Sequence, residues 1–419
     1  MAAIPPTRSA LVVSGPGQLD LVTQPMPEPG PGQVLVRVAC VALNPSDAKM
    51  VNAGVPLGSV AGLDFAGVVV AVGPPAGSFP ATNGQDDPPK EEHGRQITIG
   101  SRVCSLAFGY NKDGGLTGGF ADYVLAEAHL LVPVPDGMAL DETATLPVGL
   151  ITGGMVLFHE LGLDATERAM HDSDLAEEEE EEEKKKKDIL DHQDRRTALV
   201  YGGSTASGLI MIQLLKQQVT NSAGFDPIAV CSPSNFQLVK SAGATAVFDY
   251  RAGPEDCAAE IRTHTRDRLQ LAIDCITSPD SMRVCYGALR PAPSLSGRGR
   301  DDGAGLAVVG DSRYVALDSF PASGHTRRAV RPSWVFAMSG FGKPVDWTGP
   351  YRCEALPDHR EFAARWMREV VPRLLEQGAV KPLARTRVLG RSLVDVRGGL
   401  RLLSEGRVSG EKLVCVLGA

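Results

Sequence analysis

The run Gly202-Gly203-Ser204-Thr205-Ala206-Ser207-Gly208 closes an apolar stretch that starts at Thr197 and opens an amphipathic one that continues to Lys216. A strand that turns through glycines into a helix aims several backbone N–H groups, and the positive end of the helix dipole, at one point in space. Such a point binds an anion. The spacing from Gly203 to Gly208 matches half of a phosphate-binding loop, but Leu209 stands where a Lys and its hydroxyl partner should follow, so a Walker site fails. A dinucleotide pyrophosphate is left. The glycines also depart from the G-x-G-x-x-G order, and a plain strand-to-helix turn accounts for the stretch on its own about as well.

The surrounding elements decide between these readings. Downstream the chain alternates: strand TALVYGG, helix LIMIQLLKQ, strand PIAVCS, helix SNFQLVKSAG, strand AVFDY, helix CAAEIRTHTRD, strand LQLAIDCIT, helix SMRVCYGALR, strand GLAVVG. That alternation predicts a doubly wound parallel sheet, the Rossmann arrangement, whose ligands lie at the carboxyl ends of the strands. The dinucleotide reading gains accordingly. A fold of this kind specific for NAD places Asp or Glu roughly 20 residues after the glycines to hold the ribose 2′-OH. Here the second strand ends in Ser232-Pro233-Ser234-Asn235, which has no carboxylate to repel a 2′-phosphate, so NADPH is expected over NADH. Tyr250, ending the next strand, either adds a hydroxyl to that phosphate or is an ordinary strand-end aromatic.

Upstream, to about Pro135, short β-rich runs are cut by Gly and Pro without helical periodicity, the pattern of a small antiparallel barrel. From Asp141, DETATLPVGLITGGMVLFHEL has helical spacing yet carries Gly153-Gly154, each costing about 1 kcal/mol against Ala. Close approach of a ligand or another backbone would explain them. The final KLVCVLG run would complete the sheet of the first domain. Two polar insertions interrupt the pattern, Gly77 to Gln96, where His93 reads as solvated, and His171 to Arg196, with Glu177 to Glu183 followed by Lys184 to Lys187 and no apolar face to dock.

At 419 residues two domains are the natural expectation. With 43% hydrophobic and 22% charged residues the composition is globular, and a net charge of −8 argues against nucleic acid as ligand. Neither a signal peptide nor an apolar run long enough to span a membrane is legible, so the chain reads as cytosolic. The eight cysteines form no C-x-x-C pair, which excludes a zinc knuckle and a thioredoxin-type redox pair.

VALNPSDAKM, GLDFAGVVVAVG, ETATLPVGLITGG, VYGGSTASG, CSPSNF, VFDYR and a terminal SGEKLV together resemble the medium-chain dehydrogenase/reductase superfamily. More narrowly they resemble the fungal trans-acting enoyl reductases that serve iterative polyketide synthases, of the lovastatin-pathway type. The resemblance implies a GroES-like β-barrel domain at 1–152, completed by 346–419, and a Rossmann NADP-binding domain at 153–345. The zinc branch of the superfamily has a Cys ligand where this chain has Asn44, and Gly-His-Glu where it has Gly62-Leu63-Asp64, so no metal is expected. Hydride addition to a conjugated C=C needs none, because the thioester carbonyl already withdraws electrons.

By resemblance, Ser46, Asp47, Ala48 and Lys49 lie beside the nicotinamide, and Ser204, Thr205, Ala206 and Ser207 hold the pyrophosphate. Ser232, Pro233, Ser234, Asn235 and Tyr250 surround the 2′-phosphate, and Leu317, Asp318, Ser409 and Gly410 complete the cofactor site. Gly153, Gly154, Met155, Val156, Leu157, Phe158, His159 and Glu160, with Met338, Ser339, Gly340, Phe341 and Gly342, would wall the acyl chain. Related enoyl thioester reductases carry a Tyr proton donor eleven positions after their Asn, where this chain has Val55. Lys49 and Thr152 are the candidate donors instead, with solvent the alternative. The implied partner is an acyl-carrier-protein-bound enoyl thioester of an iterative polyketide synthase, including synthase–peptide synthetase hybrids, and the implied state is a monomer. A free-standing NADPH quinone or enone reductase shares the fold, and a non-catalytic dinucleotide-binding protein is a third reading.

Overall fold

The computed structural model describes residues 3–53, 55–75, 97–112, 117–163, 196–217, 225–291 and 312–418. The insertions Gly77 to Gln96 and His171 to Arg196 and the expected strand GLAVVG lie outside the described residues, apart from Arg196. The chain forms two units, residues 1–155 with 337–419, and residues 156–336.

Alternating apolar residues give the first unit its strands. Thr7–Gly15 and Gln18–Pro25 pair as an antiparallel hairpin. A second sheet runs in the order Thr386–Gly390, Lys412–Val416, Gln33–Leu43, Asp64–Val72, Arg102–Leu106, Val132–Pro133, with Tyr123–Glu127 also pairing Gln33–Leu43. Two register shifts between Gln33–Leu43 and Asp64–Val72 bend this sheet. Single bridges, Ala10 to Ala121 and Val12 to Val60, join the hairpin to segments just before the strands Tyr123–Glu127 and Asp64–Val72. The C-terminal strand Lys412–Val416 runs antiparallel to Gln33–Leu43, as its apolar pattern suggests.

In the second unit six strands are all parallel, in the spatial order third, second, first, fourth, fifth, sixth, which is the doubly wound arrangement. They are Arg196–Tyr201, Phe225–Val230, Ala246–Phe248, Leu271–Asp274, Ser312–Ala316 and Val330–Trp334. The last two, SRYVA and VRPSW, were not legible as strands, because polar residues break their apolar runs. Leu199, Ile228, Val230, Ile261, Ala272 and Tyr314 meet in this unit's core. Among the described residues no helix is long and apolar enough to cross a membrane, and the eight cysteines are unpaired.

The chain returns to the first unit at Ala337, earlier than the expected 346. The reason is packing. Phe341 packs against Phe108 at a tilt, with ring centroids 4.7 Å apart, and Lys343 pairs with Glu127 at 2.9 Å. Met338 to Gly342 therefore belong to the barrel unit.

Candidate active site

In the second unit the glycine turn is built as its sequence demands. The amides of Gly202 and Gly203 both donate to the carbonyl of Val230, at 3.0 Å each, which draws the turn over the end of the neighbouring strand. Thr205 accepts the Gly208 amide at 3.0 Å through Oγ1, capping the start of the helix Ala206–Gln217. A Cβ at Gly208 would lie 2.4 Å from the Gly202 oxygen and 2.9 Å from the Gly203 Cα, both backbone. Only glycine lets helix and turn approach this closely.

Thr205 thus has a structural duty beside its expected contact, whereas Ser204, Ala206 and Ser207 remain half-exposed at the helix start. At the end of Phe225–Val230, Ser232 and Ser234 hydroxyls lie 3.2 Å apart and Asn235 donates to Ser232 at 3.2 Å, a preassembled polar corner without a carboxylate. Tyr250 is 43% exposed, its ring 6.4 Å from that of Tyr201. Beside it stands a group the sequence did not single out: Arg251, held by both oxygens of Asp249. Leu317 and Asp318 follow the fifth strand, Asp318 accepting the Ser319 amide at 2.7 Å.

The first unit carries the helix Pro45–Asn52, on which Ser46 and Lys49 face outward while Asp47 does not. Asp47 is fully buried, its carboxylate accepting the Asn44 amide at 2.7 Å and the Tyr110 hydroxyl at 2.9 Å. Both of these carboxylate contacts are within the fold. Ala48 is likewise buried. Beneath the helix, Lys412 Nζ donates to Asn44 Oδ1 at 2.6 Å and to Asp64 Oδ2 at 2.9 Å. Asp64 also accepts from Asn44 Nδ2 at 2.9 Å and from the Val148 amide at 2.8 Å. Asn44 and Asp64 are thus joined around a buried ammonium. Tyr110 reaches Asp47 from a left-handed backbone conformation, φ 64°, tolerated only because the network holds it.

Burial pushes the Asp47 carboxyl up to about 7, ahead of the opposing hydrogen bond from the Asn44 amide and with nearby Asp64 adding to the rise. The unfolded chain ionises this carboxyl near about 4. Between these values the folded protein binds the extra proton, so stability falls as pH rises through the window and levels off above it. Asp47→Asn should flatten that slope, at most about 1.4 kcal/mol per pH unit, in urea midpoints measured across the range. An unchanged slope would assign it to other groups.

Gly153 and Gly154 end the helix Pro147–Gly154, and a π-helical turn, Met155–Glu160, follows. What approaches Gly154 is an indole: a Cβ there would meet Trp366 Nε1 at 2.4 Å, and that N–H donates to the Leu150 carbonyl at 2.9 Å. Neither a ligand nor a backbone is needed to explain this glycine. Met155, Val156 and Leu157 are buried core rather than open wall. Phe158 and His159 are partly exposed, and Glu160 is ion-paired with Arg313 at 2.8 Å. Thr152 is 6% exposed, and Met338, Ser339, Gly340 and Phe341 are buried, Ser339 sharing a 2.8 Å hydrogen bond with His359. Gly342 (φ 64°) and Gly410 (φ 67°) are both in left-handed turns, and Ser409 is exposed.

A family profile for the alcohol dehydrogenase GroES-like domain matches residues 30–136. The trans-enoyl reductase opdC of Penicillium oxalicum is 38% identical over 417 residues, spanning 99% of this chain and 98% of the relative. The chain belongs to the trans-enoyl reductase family. The crystal structure of CurK enoyl reductase shares its fold, with a TM-score of 0.62 at 17% identity over 98% of this chain and 99% of that one. So does a mycobacterial structure complexed with NADPH, with a TM-score of 0.61 at 19% identity and the same coverage. The enzyme is an oxidoreductase of the enoyl reductase type and takes a nicotinamide cofactor.

Proposed function

We propose that the enzyme reduces the C=C bond of α,β-unsaturated acyl thioesters with NADPH, acting in trans on chains carried by an iterative polyketide synthase, in the cytoplasm. The observation that carries this reading is full-length similarity to a trans-enoyl reductase. NADPH is favoured by the carboxylate-free corner at Ser232, Ser234 and Asn235, with the Arg251 guanidinium close in sequence to Tyr250.

Bound NADPH supplies the hydride that adds to the β-carbon of the substrate. The chain's own residues do the rest. The start of the helix Ala206–Gln217 would hold the pyrophosphate through its backbone amides, with the glycine turn letting the phosphates approach. The buried Asn44–Asp64–Lys412 cluster fixes the helix that presents Ser46 and Lys49, and Lys49 places positive charge where the thioester oxygen becomes an enolate. A preset cation needs no reorganisation as that charge develops.

Steady-state kinetics with crotonyl and longer enoyl thioesters, on pantetheine and on a carrier domain, test the reading. The expected result is a kcat/KM at least about 100-fold higher with NADPH than NADH, since a 2′-phosphate contact of about 3 kcal/mol is worth that factor. Enoyl thioesters should outpace small enones and quinones. Equal rates on a small enone would instead identify a free-standing enone reductase, and NADPH binding without oxidation by any activated alkene a non-catalytic protein.

A further inference from the structure

A proton must reach the α-carbon after hydride addition, and Val55 occupies the place where related reductases carry a tyrosine. The fold supplies another one. Tyr351 lies 302 positions from Lys49 in sequence, yet Lys49 Nζ donates to its hydroxyl at 2.5 Å, with the ammonium 4.9 Å from the ring centroid.

Several independent ties hold this phenol at the helix Pro45–Asn52. Val345 and Cys353 close the segment by an antiparallel bridge, with hydrogen bonds of 2.9 and 3.3 Å. Thr348 Oγ1 donates to the Ala53 carbonyl at 3.0 Å, directly at the helix end. The Asp346 amide donates to Asn111 Oδ1 at 3.0 Å, and Trp347 Nε1 to the Gly109 carbonyl at 3.3 Å. Trp347, 3% exposed, stands edge-on to both Tyr351 and Tyr110. An incidental surface contact between two long side chains would have none of this support.

We propose that Tyr351 is the proton donor to the α-carbon and Lys49 its proton source, a proposal that rests on the reaction read above. The enolate π electrons form the new α-C–H bond with the phenol proton as the O–H bond breaks. The resulting phenolate takes a proton from the Lys49 ammonium along the existing hydrogen bond, and the neutral amine regains one from water. The ammonium compensates the phenolate charge as it appears. Phenols and alkylammonium groups have similar intrinsic acidities, about 10 and about 10.4, so the proton passes between them with little cost. The tie to Lys49 also gives that residue a definite role, supplying the proton through Tyr351 while its charge stabilises the enolate.

The test is Tyr351→Phe in the full-length enzyme, assayed in deuterated water with an α-methyl enoyl thioester. We expect kcat to fall about 100-fold, KM and NADPH affinity by fluorescence titration to stay within about twofold, and the product to lose its single configuration at the α-carbon. Tyr351→His, which keeps a donor, should recover part of kcat and the single configuration, and its circular dichroism should match that of the wild type. Lys49→Arg, which keeps the cation, should lose less than Lys49→Met. Full retention of kcat and of α-configuration in Tyr351→Phe would overturn the proposal, as would equal losses in the Phe and His variants. An α-substituted enone carries the same stereochemical readout. If the wild type reduces only such enones, the thioester reading fails while the donor assignment is still decided.

Discussion

A Lys412→Met variant is expected to be about 3–5 kcal/mol less stable than the wild type, a large fraction of a domain's stability. Lys412 is 4% exposed and Asp64 fully buried, with 2.9 Å between ammonium and carboxylate. Desolvating both charges means that the intact pair adds little net stability. Removing one partner is different, because Asp64 is then left as an uncompensated charge in the interior. The Asn44 side chain, bonded to both, loses the donor to its Oδ1 in the same step. Urea denaturation followed by the fluorescence of Trp347 and Trp366, both in this unit, measures the loss. Asp64→Asn combined with Lys412→Met should be less destabilised than Lys412→Met alone, because neither charge of the pair remains and the Asn oxygen still accepts the Val148 amide. A double variant worse than the single one would show that the carboxylate is needed for more than neutralising Lys412. Activity should fall with stability, since the same cluster seats the helix that presents Ser46 and Lys49.

Gly208→Ala should weaken dinucleotide binding by about 100-fold or more, corresponding to about 3 kcal/mol. The added methyl would sit 2.4 Å from the Gly202 oxygen, and neither that oxygen nor the Gly203 Cα is the end of a flexible side chain. The turn must open or the helix must withdraw, and either movement takes the amides out of register with the pyrophosphate. Cofactor fluorescence titration reads the effect directly. Gly398→Ala is the matched control. It lies inside the helix Asp395–Ser404 with nothing within 4 Å of the added Cβ, so it should stabilise by about 0.5–1 kcal/mol and leave cofactor affinity intact. Undiminished binding in Gly208→Ala would mean the cofactor does not use this turn.

Much of the second unit was legible because its information is local. Strand periodicity, helix periodicity and the glycines at the first turn all lie within contiguous stretches, so the parallel sheet and the capped helix follow from short-range rules. Ser312–Ala316 and Val330–Trp334 were missed where those rules weaken, since Arg313, Pro332 and Ser333 interrupt any apolar run. In the first unit the reading of Gly154 changed because Trp366, far along the chain, is what fills the space above it. The burial of Asp47 was hidden for a related reason: resemblance alone placed it beside the nicotinamide, and only the fold shows the Tyr110 hydroxyl and the Asn44 amide bound to its carboxylate.

The sequence by itself determined the two-unit organisation, the glycine turn between strand and helix, the carboxylate-free run at Ser232 to Asn235 and, through its motifs, the enoyl reductase resemblance. Only the tertiary structure decided which polar groups work together. Lys412 is 368 positions from Asn44 and 348 from Asp64, and Tyr351 is 302 from Lys49. No periodicity encodes such pairs. They are set by the antiparallel pairing of Lys412–Val416 with Gln33–Leu43 and by the bridged segment that brings Tyr351 back to the helix Pro45–Asn52. Buried charges and a phenol held on an ammonium exist only once those distant segments have been packed together, because their geometry is a property of the assembled sheet and loop rather than of any stretch of chain.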